Sequence, residues 1–201
     1  MRPVEEIQQV NDRLIYWEGY DPAVKVDLSS HAILTRDGWV LIDPIPLGDE
    51  PLAGLGARAG FAAILLTSGN HERAAADFKR KCGVPVIAHR EAVDELSMET
   101  DQIVSDGDEV IGLRVIHLPG FAQGEMALYS PDHGGLMMLG DSLLNLQPGG
   151  LMVLPDKYCA DPRGGRKSLQ KLLQFPFEVM TFAHGMPITA GAKQQLEKII
   201  L

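Results

Sequence analysis

Apolar and polar residues alternate with a period close to two in the first third of the chain, over residues 13–18, 24–34 and 39–43, and this predicts short antiparallel strands. Arg36-Asp37-Gly38 supplies the turn between the last two. Beyond Pro44 to Pro51, a short helical piece runs through Arg58 and stops at Gly60. The apolar run 61–67 that follows is long enough only for a buried strand. Ala74, Ala75, Phe78 and Cys82 then recur at helical spacing. They predict a helix over residues 71–81, capped by Asn70 and closed by Lys79, Arg80 and Lys81, where the helix dipole favours cations. Gly83 ends it and 84–88 is a second buried strand, so residues 61–88 read as a parallel strand, helix, strand crossover.

The second half returns to short strands at 109–118, 125–130 and 135–139, the last two joined by Pro131-Asp132-His133-Gly134. Leu169, Leu172 and Leu173 have helical spacing, 177–182 reads as a strand, and Leu196, Ile199 and Ile200 line a final helix capped near Thr189. Two β-rich halves with interspersed helices predict a layered α/β protein, strands facing each other and helices outside. Without an internal repeat or a low-complexity tract, residues 1–201 are expected to form a single domain.

Composition narrows the partners. No window approaches the roughly 20 apolar residues of a membrane span, and the formal charge of −9 argues against nucleic acid or an anionic membrane as partner. Glu5, Glu6, Gln8 and Gln9 interrupt the apolar stretch a secretory signal needs, so a cytoplasmic location and a small-molecule ligand or substrate are the expectations. Cys82 and Cys159 lie outside any metal-knuckle spacing and are expected to be reduced packing residues.

Chemistry in a layered α/β protein belongs in the loops after strands. Four stand out: Thr67-Ser68-Gly69-Asn70-His71-Glu72-Arg73, Pro119-Gly120-Phe121-Ala122-Gln123-Gly124, Gly140-Asp141-Ser142, and Ala183-His184-Gly185-Met186-Pro187. Together with Leu41-Ile42-Asp43 after an early strand and Ile64-Leu65-Leu66-Thr67 before the first loop, their order resembles the metallo-β-lactamase superfamily. That resemblance implies a four-layer αββα sandwich with the metal site at one edge between the two sheets.

It also shows where this chain departs. Active members of the family carry Thr-His-x-His-x-Asp-His in the first loop and a His after Pro-Gly in the second. Here those ligand positions hold Ser68, Asn70, Glu72, Arg73 and Phe121, and only Asp141 and His184 match the remaining ones. Serine, asparagine and phenylalanine do not replace three imidazoles as zinc ligands. A guanidinium cannot coordinate a cation, but it can pair bidentately with a carboxylate. The expectation is therefore a metal-free pocket in which Arg73, in the first turn of the helix, replaces the metal's charge and pairs with Asp141. Phe121 would fill the volume left by the metal and its imidazoles.

The catalytic candidates are Asp141, His184 and Glu72, with Ser68, Asn70, His71, Arg73 and Phe121 around them. His71, between two lost ligand positions, is expected to be exposed. The alternative is a hydrolase of an ester, thioester or phosphoester using one divalent metal, zinc, manganese or iron, held by Glu72, Asp141 and His184 with His71 as a further donor. A metal-free enzyme with Asp141 or His184 as general base is a third reading, and Ser68, Asp141 and His184 include the residue types of a hydrolytic triad. His31, His89, His117 and His133 are expected to be structural. The basic cluster Lys157, Arg163, Arg166, Lys167 and Lys171 reads as a solvated face, with an anionic ligand as the alternative.

Overall fold

The computed structural model describes residues 1–201 apart from the side chain of His133, which lies outside the described residues. Seven strands form a first sheet in chain order: β1 (Gln8–Asn11), β2 (Leu14–Asp21), β3 (Val26–Thr35), β4 (Gly38–Ile42), β5 (Phe61–Leu66), β6 (Val86–His89) and β7 (Gln102–Val104). The first four are antiparallel, and β4 to β7 run parallel, with α1 (Asp49–Ala59) and α2 (Ala75–Cys82) providing the first two crossovers and a segment with a 3-10 turn (Val93–Glu95) the third.

The second sheet takes β8 (Glu109–Val110), β9 (Leu113–His117), β10 (Met126–Ser130), β11 (Leu136–Met138) and β14 (Val179–Thr181), in the order β14-β11-β10-β9-β8. A separate hairpin joins β12 (Leu143–Leu146) to β13 (Gly150–Val153). Helices α3 (Pro162–Leu169) and α4 (Ala192–Ile200) lie on this side of the molecule.

Strand alternation divides the apolar residues into three layers. On β4, Trp39 and Leu41 face the helices with Ile64 and Leu66 of β5, Leu55 of α1 and Phe78 of α2. Val40 and Ile42 point the other way with Ala63 and Leu65, meeting Val115, Met126, Leu128 and Met138 of the second sheet. Ala127 and Tyr129 of β10 and Met137 of β11 then pack against Leu169 of α3 and Leu196 of α4. Helix, sheet, sheet, helix is the expected αββα order, and each layer follows from side chains pointing to opposite faces of a strand at successive positions. Cys82 and Cys159 are free and pack at the margins of the two outer layers, as expected. Among the described residues, no helix is long and apolar enough to cross a membrane.

The sequence pattern errs where the backbone turns left-handed. The single strand expected over 109–118 is a hairpin, because Ile111 (φ 50°) and Gly112 (φ 76°) make a tight turn inside it. The helix expected over 71–81 is a 3-10 turn (Gly69–His71) followed by α2, with Arg73 (φ 43°) breaking the backbone between them. Asn70 is consequently exposed and caps nothing, and the N-cap of α2 is Ala74 without a side-chain bond. At the last helix Gly191, not Thr189, holds the N-cap, while Asp161 caps α3 by accepting from the Arg163 amide at 3.1 Å.

The loop after β9 is pinned to α3. Gly120 has φ +106°, and a Cβ there would lie 2.2 Å from the Gly165 nitrogen and 2.7 Å from the Asp161 carbonyl oxygen. Both neighbours are backbone and cannot rotate away. Gly120→Ala is expected to destabilise the protein by about 2–5 kcal/mol through backbone strain and overpacking. Urea unfolding of the variant against the parent checks this, and a loss under about 1 kcal/mol would show the loop to be plastic.

Candidate functional site

The site lies at the edge where β4, β5, β11 and β14 end. Asp43 follows β4 in a left-handed conformation (φ 46°) and is buried. Its carboxylate accepts from the Thr67 amide at 2.8 Å and from Thr67 Oγ1 at 2.5 Å, which ties the ends of β4 and β5 together. Its Oδ2 also stands 2.9 Å from Nδ1 of His71. The other ring nitrogen, Nε2, lies 3.3 Å from Asp141 Oδ1. His71 is thus 2% exposed, contrary to the expectation of an exposed turn residue. The break at Arg73 ends the helix path that would have put it in solvent.

An imidazole between two carboxylates holds its second proton tightly. Burial alone would lower the His71 pKa, but Asp43 and then Asp141 outweigh it and raise it to about 10. Burial likewise works to raise the two carboxyls. At Asp43, His71, Arg73 and the Thr67 hydroxyl reverse this, and at Asp141, His71 and His184 reverse it, holding Asp141 well below the carboxylate range. The cation between Asp43 and Asp141 is therefore an imidazolium.

Arg73 does not make the expected pair with Asp141. Its guanidinium donates to the carbonyls of Ser29 (2.7 Å), Asp43 (3.1 Å) and Ala183 (3.4 Å), joining β3 to the residues that follow β4 and β14. Its charge still acts on Asp43 from this position. Asp141 meets His184 instead, with Oδ1 at 3.2 Å from Nε2. His184 Nδ1 faces the Asp27 carbonyl at 2.8 Å and must donate to it, so only Nε2 is left for Asp141 or a ligand. Side chains of Asp141 and His184 are 21% and 18% exposed, making them the solvent side of the network.

The remaining expected residues do not converge there. Glu72 accepts from the amide and hydroxyl of Ser97, both at 2.6 Å, so it is withdrawn from Asp141 and His184. Phe121 is buried in the outer layer beside α3, its ring against Gly165, and does not fill a metal pocket. Ser68 Oγ is buried without a hydrogen bond, so no triad with His184 is assembled. His31 is buried, and burial lowers its pKa to about 3. In the basic cluster, Arg166 pairs with Asp156 at 2.8 Å and Lys171 with Asp106 at 3.0 Å, leaving a solvated face.

Asp43, Thr67 and Glu125 also belong to this network, although the sequence motifs assign them no role. Glu125 follows the second loop, fully buried, with Oε1 accepting from the Ser142 amide at 2.8 Å and Oε2 unpartnered. Gly140 permits this approach: a Cβ there would meet Thr67 Oγ1 at 2.5 Å and Glu125 Oε1 at 2.8 Å. The only available sequence signal was position, a carboxyl flanking a strand-end glycine. Burial, and then the Asp141 charge, raise the Glu125 pKa to about 8.

The family's dinuclear centre does not fit these residues. Nitrogen, sulfur or carboxylate donors are required, and the first-loop positions present a hydroxyl, a surface amide, a carboxylate turned to Ser97 and a guanidinium.

Two outcomes are expected. His71→Ala leaves Asp43 and Asp141 without the cation between them and should cost about 3–5 kcal/mol in denaturant unfolding. Glu125 is neutral in the folded state up to about 8 but ionises from 4.5 in the unfolded chain, so its contribution is complete below pH 4.5 and falls away as pH rises toward 8. Glu125→Gln should therefore flatten the decline in stability across that interval. An unchanged slope in unfolding measured at pH 5, 6, 7 and 8 would locate the decline elsewhere.

Comparison with known proteins bears on this geometry. The family model described as "Metallo-beta-lactamase superfamily" matches residues 9–200. Among solved structures, TTHA1623 in a di-iron-bound form is 25% identical, covers 90% of this chain and 98% of its own, and superposes with a TM-score of 0.69. A metallo-β-lactamase from Pontibacter korlensis is 17% identical over 97% of this chain and 98% of its own, with a TM-score of 0.75. The DIM-1 metallo-β-lactamase is 12% identical over 97% and 96%, with a TM-score of 0.77. No curated protein matches the chain in sequence. A family match across nearly the whole length, on an αββα sandwich with Asp141 and His184 together at its edge, places the chain in the metallo-β-lactamase superfamily.

Proposed function

We propose that this hydrolase-like protein works without the family's metal centre and that its edge site is a binding site for a small molecule. The observation that supports this reading is His71, buried between Asp43 and Asp141 at 2.9 and 3.3 Å, where its positive charge balances carboxylates that would otherwise call for a metal ion. Arg73 assists by fixing the surrounding carbonyls and adding a second positive charge. The expectation that Arg73 alone replaces the cation is thus revised to a shared role in which His71 makes the direct contacts.

Asp141 and His184 are the groups that a ligand would meet. With Nδ1 committed to Asp27, His184 offers Nε2, and the ligand would have to carry a donor or a positive group to exploit the adjacent Asp141. Any proton transfer here would pass through that same nitrogen.

A metal-dependent hydrolase is the second reading, favoured by the likeness to TTHA1623 in its di-iron-bound form. It would have to use Asp141 and His184 without Glu72. Elemental analysis of the parent, Asp141→Asn and His184→Asn proteins, purified without chelator, separates the two. Equal metal content in all three, with no metal-stimulated turnover of ester, thioester or phosphoester substrates, is the expected outcome. Metal that disappears from both variants, together with metal-stimulated turnover in the parent, would overturn the proposal.

A further inference from the structure

A different group of side chains has the chemistry that the family position lacks. His89 ends β6 and His117 ends β9, and their rings stack with centroids 4.1 Å apart and planes 19° from parallel. Glu91 reaches in from the segment after β6, placing Oε2 3.4 Å from His117 Nε2. One ligand atom from each of the three residues lies within 4.8 Å of the others, and among the described residues no other set of three His, Cys, Asp or Glu is so arranged.

We propose that His89, Glu91 and His117 form a site for one divalent transition-metal ion of the zinc class, distinct from the family's centre and independent of the function proposed above. Two imidazoles and one carboxylate are a zinc donor set that leaves a fourth position for water. Two donors about 2.0–2.2 Å from one tetrahedral ion stand about 3.3–3.6 Å apart; His117 Nε2 and Glu91 Oε2 already meet this, and the two stacked rings must turn out of parallel to aim both imidazole nitrogens at the same ion.

Burial adds to the geometry. His89 is 2% exposed, and His117 Nε2 is buried without a hydrogen bond, which is costly for a polar atom unless something else satisfies it. The competing bond is that of the Glu91 amide to His89 Nδ1, and at 3.3 Å it is long. Glu91 is half exposed, so an ion has a route in and the water position faces solvent.

The surroundings hold the backbone of His117, leaving its ring free to turn. Its amide donates to Asp106 Oδ1 at 2.8 Å and its carbonyl accepts from Lys171 at 2.8 Å, while Lys171 is neutralised by Asp106 Oδ2 at 3.0 Å. Because β5 and β6 are parallel neighbours, His89 emerges at the same sheet edge as the Thr67 to Arg73 loop, one strand along. The bound water would therefore sit on the face of the sandwich where the family does its chemistry.

Zinc titration of the metal-stripped full chain against a chromophoric chelator tests this, with Glu91→Gln, His117→Gln and Asp141→Asn in parallel. Glu91 is half exposed and its isosteric replacement leaves the core untouched. The expected result is one zinc per chain, binding weakened at least about tenfold in Glu91→Gln and in His117→Gln, and unchanged binding in Asp141→Asn. Zinc should also shift the imidazole proton resonances of His89 and His117, not those of His184. No zinc binding, binding indifferent to Glu91→Gln and His117→Gln, or binding lost in Asp141→Asn would each overturn the proposal. The first outcome would reduce the cluster to an ion pair between Glu91 and His117. The last would put the metal at the family's position and overturn the preceding reading as well.

Discussion

One buried imidazole between two carboxylates organises the edge of this sandwich. His71 reaches Asp43 on one side and Asp141 on the other, and these belong to the ends of strands in different sheets. Two carboxylates brought this close without a cation would repel and would also lose their hydration. The balance here is local: Asp43 and Asp141 against His71 and Arg73. Glu125, the third carboxyl in the cluster, finds no further positive partner and is pushed toward its neutral form. The shift at Glu125 thus comes first from its burial and then from the Asp141 charge beside it.

The backbone shows what it takes to hold this arrangement. Asp43 and Arg73 both adopt positive φ without being glycine, a conformation that costs energy and persists only where surrounding contacts compensate. Those contacts are specific. Thr67 fixes the Asp43 carboxylate with two hydrogen bonds, and Arg73 fixes three carbonyls from separate segments. Beneath them, the apolar layer between the sheets and the two layers under the helices make the strand ends rigid, so side chains carried there have few alternatives.

How much of this was legible in the sequence depended on range. Strand alternation on β4 and β10 encodes the layers locally, and the αββα order could be read from it together with the loop motifs. The lost ligands were legible too, since Ser68, Asn70, Arg73 and Phe121 cannot do the work of imidazoles. What could not be read was where each side chain would go. Helical periodicity beginning near His71 suggested a continuous helix, but periodicity does not report a left-handed residue such as Arg73, and that single break carries His71 inward. Glu72 and Phe121 stand at ligand positions of the family's motifs, whereas Ser97 and the layer beside α3 compete for them successfully. Glu125 and the pairing of His89 with His117 depend on contacts between residues distant in sequence, which no local pattern encodes.

On the function proposed above, side-chain cations stand where the family has a metal, and that changes what an edge site can do. A metal ion attracts isotropically and accepts extra ligands, whereas an imidazolium has two donors in fixed directions, and both of His71's face carboxylates. Its charge is therefore spent within the protein and none of it remains to polarise a bound carbonyl or lower the pKa of a water. The groups with residual capacity are His184 Nε2 and the exposed part of Asp141, which suit recognition of a polar ligand better than Lewis-acid chemistry. Where His89, Glu91 and His117 meet, three donor side chains converge and the buried His117 Nε2 lacks a hydrogen bond. The two proposals thus rest on one difference between the clusters: a positive charge lies between the carboxylates of one, and a buried nitrogen of the other lacks a hydrogen bond.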